Sequence, residues 1–474
     1  MRLSTSLFGL SEITVRVPAL IGAALYVAAA LYLTSLIASS RALRWAFFVC
    51  LVYNPFVFDF FVAARGYSVA AAFLVWALAI PAGILTGELE GAERSLLRAC
   101  IASSLCAALS FAANFAFAFA DGAVLLLVFV WIAYRLAKVR RPAHLPVIGL
   151  YTRLLLALII PGLLAAAILC GPVLYGYPKT QLFFGAKSLY ETLASLVGPS
   201  LYELNPHLLG ARLSAALASR RHILLPSLAA VLLCQLALLW RDRAALCLAR
   251  PAWQLHLATV AAGSAFLALS LHWALFRASG LLLPRDRTGM YLVVLTTIAV
   301  GAIAAVPTPS RAGRICHRAL TFMLFVMAVY FLLCLRLTYF REWRYGSEAN
   351  QAYSVVADYS RQLGSSDVPA YWFYAGSLNF YREASGNHGI DEFVSVGARK
   401  PYPEGKRAYV LYYPEDRAFI EKNRLSIVYH GRLSDVVVAL RPGPGVPDAP
   451  AGPLPLSDPL FWTRYRRALE EIGR

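Results

Sequence analysis

The stretch Val17-Pro-Ala-Leu-Ile-Gly-Ala-Ala-Leu-Tyr-Val-Ala-Ala-Ala-Leu-Tyr-Leu-Thr-Ser-Leu-Ile-Ala-Ser-Ser40 contains 24 residues and no charged side chain. At 1.5 Å per residue, an α-helix of this length extends about 36 Å. That length exceeds the roughly 30 Å hydrocarbon core of a bilayer. The stretch therefore predicts a transmembrane helix.

Nine further segments have comparable length and apolar character. They cover residues 45–64, 66–86, 99–118, 122–138, 147–174, 222–240, 252–276, 289–306 and 315–336. Of all 474 residues, 59% are hydrophobic and 15% are charged, and the mean hydropathy is +0.60, whereas a soluble domain has about 25% charged residues. This composition excludes a soluble enzyme and a disordered chain. It predicts a polytopic α-helical membrane protein with about ten spans.

The formal charge of +18 does not indicate a nucleic-acid partner, because the basic residues lie in short runs between apolar segments. One alternate set of short loops holds 14 basic residues and the other set holds four. Since basic loops resist translocation, we expect the first set in the cytoplasm and the protein in the cytoplasmic (inner) membrane. Both termini, the long loop 175–221 and the chain after about residue 337 then face outside.

The composition divides the chain into three parts. Residues 1–338 are the predicted transmembrane domain. Residues 339–440 regain charge and contain β-rich runs, including Tyr371–Tyr374, which predicts a small extracytoplasmic α/β domain. Residues 441–474 are a Pro/Gly linker and a short charged tail.

The outer loop 175–221 has apolar residues at helical spacing between positions 182 and 197. This pattern predicts a helix that lies in the membrane interface, where it would frame the entrance for a lipid substrate. A packed cap over the bundle is the alternative.

The stretch Asn54-Pro-Phe-Val-Phe-Asp-Phe-Phe-Val-Ala-Ala-Arg-Gly-Tyr-Ser68 places ionisable groups within an apolar region. Pro55 is expected to break the helix and to leave Asp59 and Arg65 at the outer membrane boundary. An acid there would bind a divalent metal or orient an acceptor. Arg65 with its neighbour Tyr67 would hold a phosphate in a partly dehydrated site. The alternative is an Asp–Arg pair that closes a helical turn.

The second candidate is Leu283-Pro-Arg-Asp-Arg-Thr-Gly289, in an outer loop just before a span. Arg285 and Arg287 run against the charge bias of the outer loops, which favours a ligand-binding role. Phosphate or pyrophosphate is the natural partner, because guanidinium groups offer paired donors. Interaction with lipid headgroups or with Asp286 is the alternative.

Several other polar residues favour structural roles. His256 and His272 are interpreted as hydrogen-bonded core residues and Arg153 as a residue that snorkels, while Glu191, Glu203 and His207 are interpreted as surface groups of the outer loop. The eight cysteines lie in or beside apolar segments and show neither a disulfide framework nor zinc spacing. No Walker, dinucleotide-binding, nucleophile-elbow or HExxH motif is present in the sequence.

These segments resemble the GT-C superfamily of membrane glycosyltransferases, which use polyprenyl-phosphate sugars, and especially its aminoarabinose and protein mannosyl transferase branch. The likeness covers about residues 5–440. Residues 7–22 look like the end of that family's first outer loop running into its second span, and residues 54–68 look like its second outer loop. Residues 284–289 resemble its Pro/Arg loop before a late span, and the α/β tail matches its usual C-terminal domain.

The resemblance implies a donor sugar on a lipid phosphate, an acceptor that enters from outside, and an acidic residue of the first outer loop as general base. This sequence begins within that loop, so the corresponding first span and acidic motif are absent from it. We expect that the start codon is assigned too late and that DNA upstream of Met1 encodes both. Asp59 is the remaining acid best placed to support a base or a metal.

The sequence therefore predicts transfer of a sugar from a polyprenyl-phosphate donor to a lipid, glycan or protein acceptor of the cell envelope. The predicted phosphate ligands are Arg65, Tyr67, Arg285 and Arg287, and the only cofactor considered is a divalent metal. Two other functions stay open: a transporter or flippase of lipid-linked sugars, although no internal repeat is evident, and a catalytically inactive membrane scaffold.

Overall fold

A computed structural model describes the chain except for some segments. The residues outside the description are 1, 88, 90, 140–146, 177–183, 210, 243–252, 307, 309, 398–399, 444–445 and 447–474. The predicted tail after 446 and part of the outer loop 175–221 therefore lie outside the described residues. The chain divides into two compact units, one of residues 1–7 and 12–335 and one of residues 8–11 and 336–474.

The first unit is helical. Its α-helices are α1 (Arg2–Phe8), α2 (Glu12–Ile37), α3 (Arg41–Val52), α4 (Pro55–Asp59), α5 (Tyr67–Leu85), α6 (Glu93–Ala113), α7 (Ala118–Val139), α8 (Val147–Tyr175), α9 (Leu189–Ser200), α10 (Pro206–Leu209), α11 (Ala211–Ala218), α12 (Arg221–Arg241), α13 (Trp253–Ser279), α14 (Met290–Ala304) and α15 (Arg311–Cys334). Short 3-10 helices, Phe115–Phe117 and Asp286–Gly289, precede α7 and α14. Within the described residues, nine helices are long and apolar enough to cross a membrane. The polytopic helical fold is confirmed.

The predicted span 45–64 is divided into two helices. Pro55 has no N–H to donate, and Asn54 caps α4 by accepting the Phe56 N–H at 3.0 Å. The 12 residues of α3 extend only about 18 Å, which is too short to cross the hydrocarbon core alone. This break, which Pro55 predicted, accounts for the difference between ten predicted segments and nine long helices.

A second boundary differs from the prediction. The sequence placed Asp121 between the spans 99–118 and 122–138, whereas α6 ends at Ala113 and Asp121 lies within α7. The turn falls earlier because the Asn114 side chain accepts the Ala116 N–H at 3.0 Å and begins the 3-10 helix there. An asparagine cap therefore ends the helix in spite of the apolar residues that follow.

Successive long helices run in opposite directions, so their connections collect at two ends of the bundle. We call one of these the arginine end, which comprises the connections 53–66, 114–117 and 280–289. The opposite end holds the connections 38–40 and 305–310. In the interior, α5 packs against α2 and α6, while α13 packs against α7 and α14.

The second unit is a small α/β fold. It contains a 3-10 helix (Arg341–Gly346), α16 (Ala349–Leu363), β1 (Ala370–Tyr371), α17 (Trp372–Ala384), β2 (Ser395–Val396), β3 (Ala408–Tyr412), α18 (Tyr413–Lys422), β4 (Ser426–His430) and β5 (Val436–Leu440). The strand order is β2-β1-β3-β5-β4, with β1 parallel to β2 and β3 and the remaining pairs antiparallel. The predicted strand Tyr371–Tyr374 is wrong beyond Tyr371, because Trp372 begins a helix.

One buried acid links the sheet of this unit to its loops. Asp416 accepts the Tyr402 hydroxyl at 2.6 Å and the Tyr412 N–H at 2.8 Å through the same carboxylate oxygen. Its side chain lies in the interior, and this burial raises the pKa of Asp416 to about 6. The acid thereby couples folding of this unit to proton binding.

Candidate functional site

The first wall of the site is the connection between α4 and α5. Gly66 has a φ of +75°, and a Cβ atom at this position would lie 2.3 Å from the Ala113 carbonyl oxygen. Only glycine allows both this left-handed backbone and such a close approach. The approach fixes the Arg65–Tyr67 turn against the end of α6, directly before Asn114.

Tyr67 occupies the centre of the site. Its side chain is buried at the first position of α5, and its ring meets Phe60 edge to face at 4.9 Å. The side chains of Arg287 and Asn114 lie beside its hydroxyl group, and the Arg65 charge acts on the same group. Three separate connections of the arginine end therefore meet at one phenolic oxygen.

The second wall is the 283–289 turn, which two contacts of the outer loop hold in place. Leu283 forms a two-way backbone bridge with Ala186, with N···O distances of 2.7 and 2.9 Å. The Ser195 hydroxyl of α9 accepts the Asp286 N–H at 2.9 Å. Because α9 also packs against α4, this helix joins the two walls.

The predicted interfacial helix of the outer loop is shorter than expected. It begins only at Leu189, where the Ser188 hydroxyl caps it by accepting the Glu191 N–H at 3.1 Å. Residue 182 lies outside the described residues. Tyr190 and Leu193 are exposed on α9, whereas Leu196 packs on Gly289. The helix therefore has an exposed apolar face and a face that packs on the turn.

Arg287 is oriented by an aromatic ring. Its guanidinium carbon lies 4.4 Å from the centroid of the Phe184 ring, a geometry in which the ring face attracts the cation. The side chain is half-buried. With one face on Phe184 and one edge at Tyr67, the guanidinium group keeps further N–H donors for an anion.

Arg285 interacts with Asp286, which is one of the alternatives to ligand binding that the sequence had left open. Its Nε lies 3.6 Å from the Asp286 carboxylate. Its N–H donates to the Thr288 hydroxyl at 2.8 Å, and that hydroxyl donates back to the Arg285 carbonyl at 2.9 Å. The Arg285 side chain is about four-fifths buried, with 21% exposed. An anion at the site would therefore compete with Asp286 for this arginine.

The structure thus brings together Arg65, Tyr67 and Arg287, and it holds Arg285 in the same turn as Arg287. Asp59 ends α4 and is half-buried. In the part of the chain that the structure describes, no group of three His, Cys, Asp or Glu side chains is placed to hold a metal ion. The role of Asp59 stays a prediction.

Sequence reasoning missed Asn114, Phe184 and Asp121. Asn114 lies inside a predicted span, and Phe184 lies in a loop whose partner is distant in sequence. Asp121 is 4% exposed, its neighbour is the Ser110 side chain, and neither carboxylate oxygen has a hydrogen bond to a described residue. The available signal for Asn114 and Asp121 was that each is a polar side chain in an otherwise apolar stretch.

The remaining polar candidates have structural contacts. His272 Nε2 lies 3.0 Å from the Leu282 carbonyl oxygen, and the His256 ring packs on Tyr134 at 5.0 Å. Arg153 lies 3.9 Å from Glu93 and is exposed. Glu191 accepts the Lys187 N–H at 2.7 Å, Glu203 has partners within the chain, and the His207 side chain lies outside the description.

No protein-family model matches this chain, and no curated protein sequence matches it. Two solved structures are similar to it, both of ArnT from Cupriavidus metallidurans. The structure bound to undecaprenyl phosphate has a TM-score of 0.44 and 13% sequence identity, and the apo structure has a TM-score of 0.33 and 11% identity. Each alignment covers 93% of this chain and 86% of the other chain. The likeness at these TM-scores is coarse.

Proposed function

We propose that this protein transfers a sugar from a polyprenyl-phosphate donor to a cell-envelope acceptor, and that the arginine end binds the donor phosphate. The observation that carries the proposal is the meeting of Arg65 and Arg287 at the Tyr67 hydroxyl. The two arginines are more than 200 positions apart in the chain. An anion that contacts both guanidinium groups would offset their mutual repulsion.

A phosphate monoester or diester fits this arrangement better than a carboxylate does. Arg65 and Tyr67 approach from the turn before α5 and Arg287 approaches from the 283–289 turn, so together they offer donors to several oxygens of a tetrahedral anion. A bilayer places lipid phosphates at the depth where apolar helices end, which is where these residues lie. The resemblance of residues 54–68 and 284–289 to GT-C loops makes a polyprenyl-phosphate sugar the preferred donor.

The chain's own residues would contribute to transfer through electrostatics. As the bond between sugar and phosphate breaks, negative charge grows on the departing lipid phosphate. Arg287 would stabilise that charge without reorienting, because Phe184 already packs on its guanidinium group, and the Gly66 turn fixes the backbone from which Arg65 extends. Asp59 is the proposed supporting acid, either as a base toward an acceptor hydroxyl or as support for a divalent metal. The acceptor class is a lipid, glycan or protein on the outer side of the inner membrane.

The test is Arg287→Gln in the full-length protein, which preserves a hydrogen-bonding side chain and removes the charge. We expect sugar transfer to fall at least about 100-fold and binding of undecaprenyl phosphate to weaken. Arg277→Gln is the matched control, because Arg277 lies in the last turn of α13, near the same end of the bundle, and is exposed. Normal transfer by Arg287→Gln would refute the assignment. Lipid flipping in vesicles without any sugar transfer by the unaltered protein would favour a transporter instead.

A further inference from the structure

A second concave feature lies at the opposite end of the bundle, away from the arginine end. It is an open groove of about 340 Å³ between the start of α3 and the first half of α15. Ser40 and Ala42 line one side, and His317, Arg318 and Phe322 line the other. None of these residues takes part in the proposed sugar-transfer site.

The mouth of the groove is electropositive. Arg318 is exposed and forms no ion pair with any residue that the structure describes. The Ser40 hydroxyl already accepts the Leu43 N–H at 3.2 Å, while the first amides of α3, at Arg41 and Ala42, have no carbonyl partner within the helix. The helix dipole adds a partial positive charge at the same point.

A histidine also lies in the wall of the groove. His317 Nδ1 is buried without a hydrogen-bond partner among the described residues. The carboxylate of Asp242 lies at this end of the bundle, but it pairs with Arg241 at 3.2 Å. Its charge is therefore offset within its own cluster.

Below the charged mouth, the groove becomes apolar. Phe322 and Phe325 follow Arg318 by four and seven positions, so the three side chains lie along one face of α15. Phe322 is 63% exposed and Phe325 is 54% exposed, and both line the groove. A cation above two exposed aromatic rings matches a ligand with an anionic head and a hydrocarbon tail.

We propose that this groove binds an anionic phospholipid of the leaflet at this end. The phosphate would lie between Arg318 and the first amides of α3, and the acyl chain would run along Phe322 and Phe325. The charge at the mouth selects anionic over zwitterionic headgroups, because a net negative headgroup keeps its attraction to Arg318. A free phosphate would leave the aromatic wall uncovered, which favours the lipid as the occupant.

The experiment is native mass spectrometry of the full-length protein in detergent, titrated with phosphatidylglycerol or with phosphatidylcholine of the same acyl chains. Phosphatidylglycerol should bind more tightly, and Arg318→Gln should weaken its binding about tenfold, the loss expected for one charge-assisted contact. Arg98→Gln is the matched control, since Arg98 is an exposed arginine of α6 that does not line the groove. Phe325→Ala should weaken the binding of both lipids.

Three outcomes would overturn the proposal. One is equal binding of the two lipids, and another is equal weakening by Arg318→Gln and Arg98→Gln, which would indicate a diffuse surface charge. Displacement of phosphatidylglycerol by an excess of inorganic phosphate would likewise show a simple anion site. The proposed sugar-transfer site is tested separately, through undecaprenyl phosphate binding by Arg287→Gln. Failure of the phospholipid proposal would therefore not affect that test.

Discussion

Replacing Gly66 with alanine tests how closely the site depends on one backbone contact. Gly66 has a φ of +75°, and the added Cβ atom would lie 2.3 Å from the Ala113 carbonyl oxygen. The left-handed backbone alone costs an alanine about 1–2 kcal/mol. A comfortable separation is about 3.5 Å, so the turn must also withdraw from Ala113 by roughly 1 Å.

The withdrawal has an energetic and a functional consequence. Overpacking of this kind costs about 1–3 kcal/mol, which gives a total destabilisation of about 2–5 kcal/mol together with the backbone cost. The same shift carries Arg65 and Tyr67 away from Arg287. Since a misplacement of about 1 Å can reduce turnover roughly 100-fold, we expect sugar transfer to fall by about that factor in the protein that remains folded.

Gly280→Ala provides the control. Gly280 has a φ of +73°, but a Cβ atom there would meet nothing within 4 Å. This variant should therefore lose only the backbone term of about 1–2 kcal/mol. Equilibrium unfolding of both full-length variants in mixed detergent measures the two losses, and transfer assays at a temperature where both are folded measure activity. If Gly66→Ala is no less stable and no less active than Gly280→Ala, the close packing on Ala113 does not organise the site.

Two further predictions concern charged groups. Asp286→Asn tolerates the φ of +47° at this position and removes the carboxylate that holds Arg285. It should tighten undecaprenyl phosphate binding two- to fivefold, given about 0.5–1 kcal/mol for a partly exposed pair, and unchanged affinity would exclude Arg285 as a phosphate ligand. The second prediction follows from the pKa of Asp416, about 6 in the folded protein against an ordinary 3.8. The folded state binds more protons between these values, so the second unit should be most stable below about pH 4, lose about 3 kcal/mol as the pH rises to 6, and change little above it. Amide hydrogen exchange of β3 and β5 in the full-length protein, corrected for intrinsic rates, checks this, and Asp416→Asn should abolish the slope while keeping the bonds to Tyr402 and Tyr412.

The helical fold could be predicted because apolar length alone indicates a span. The break at Pro55 was equally predictable, since a missing N–H acts locally. The earlier turn at Asn114 was not, because an amide cap is a single side chain whose effect competes with the apolar residues around it. The helix that begins at Trp372 in the second unit was also not predictable, because a short aromatic run is compatible with both a strand and a buried helix.

The site was predictable in part for a different reason. Arg65 stood out because it lies within an otherwise apolar region, and Arg287 stood out because it runs against the charge bias of the outer loops. Their proximity at Tyr67 depends on how the long helices pack, and that packing cannot be inferred from a single sequence. Phe184 could not be identified for the same reason. Its contact with Arg287 joins two loops that are about 100 positions apart in the chain.

The spread of the arginine end along the chain also constrains biosynthesis. Translation delivers Tyr67 early, whereas its partner Arg287 emerges after most of the long helices have been made. A nascent chain halted before residue 283 would contain Arg65 and Tyr67 but would lack Arg285 and Arg287. Under the proposed function, capture of the lipid phosphate would begin only once the late helices have inserted, so incomplete chains would not sequester the carrier.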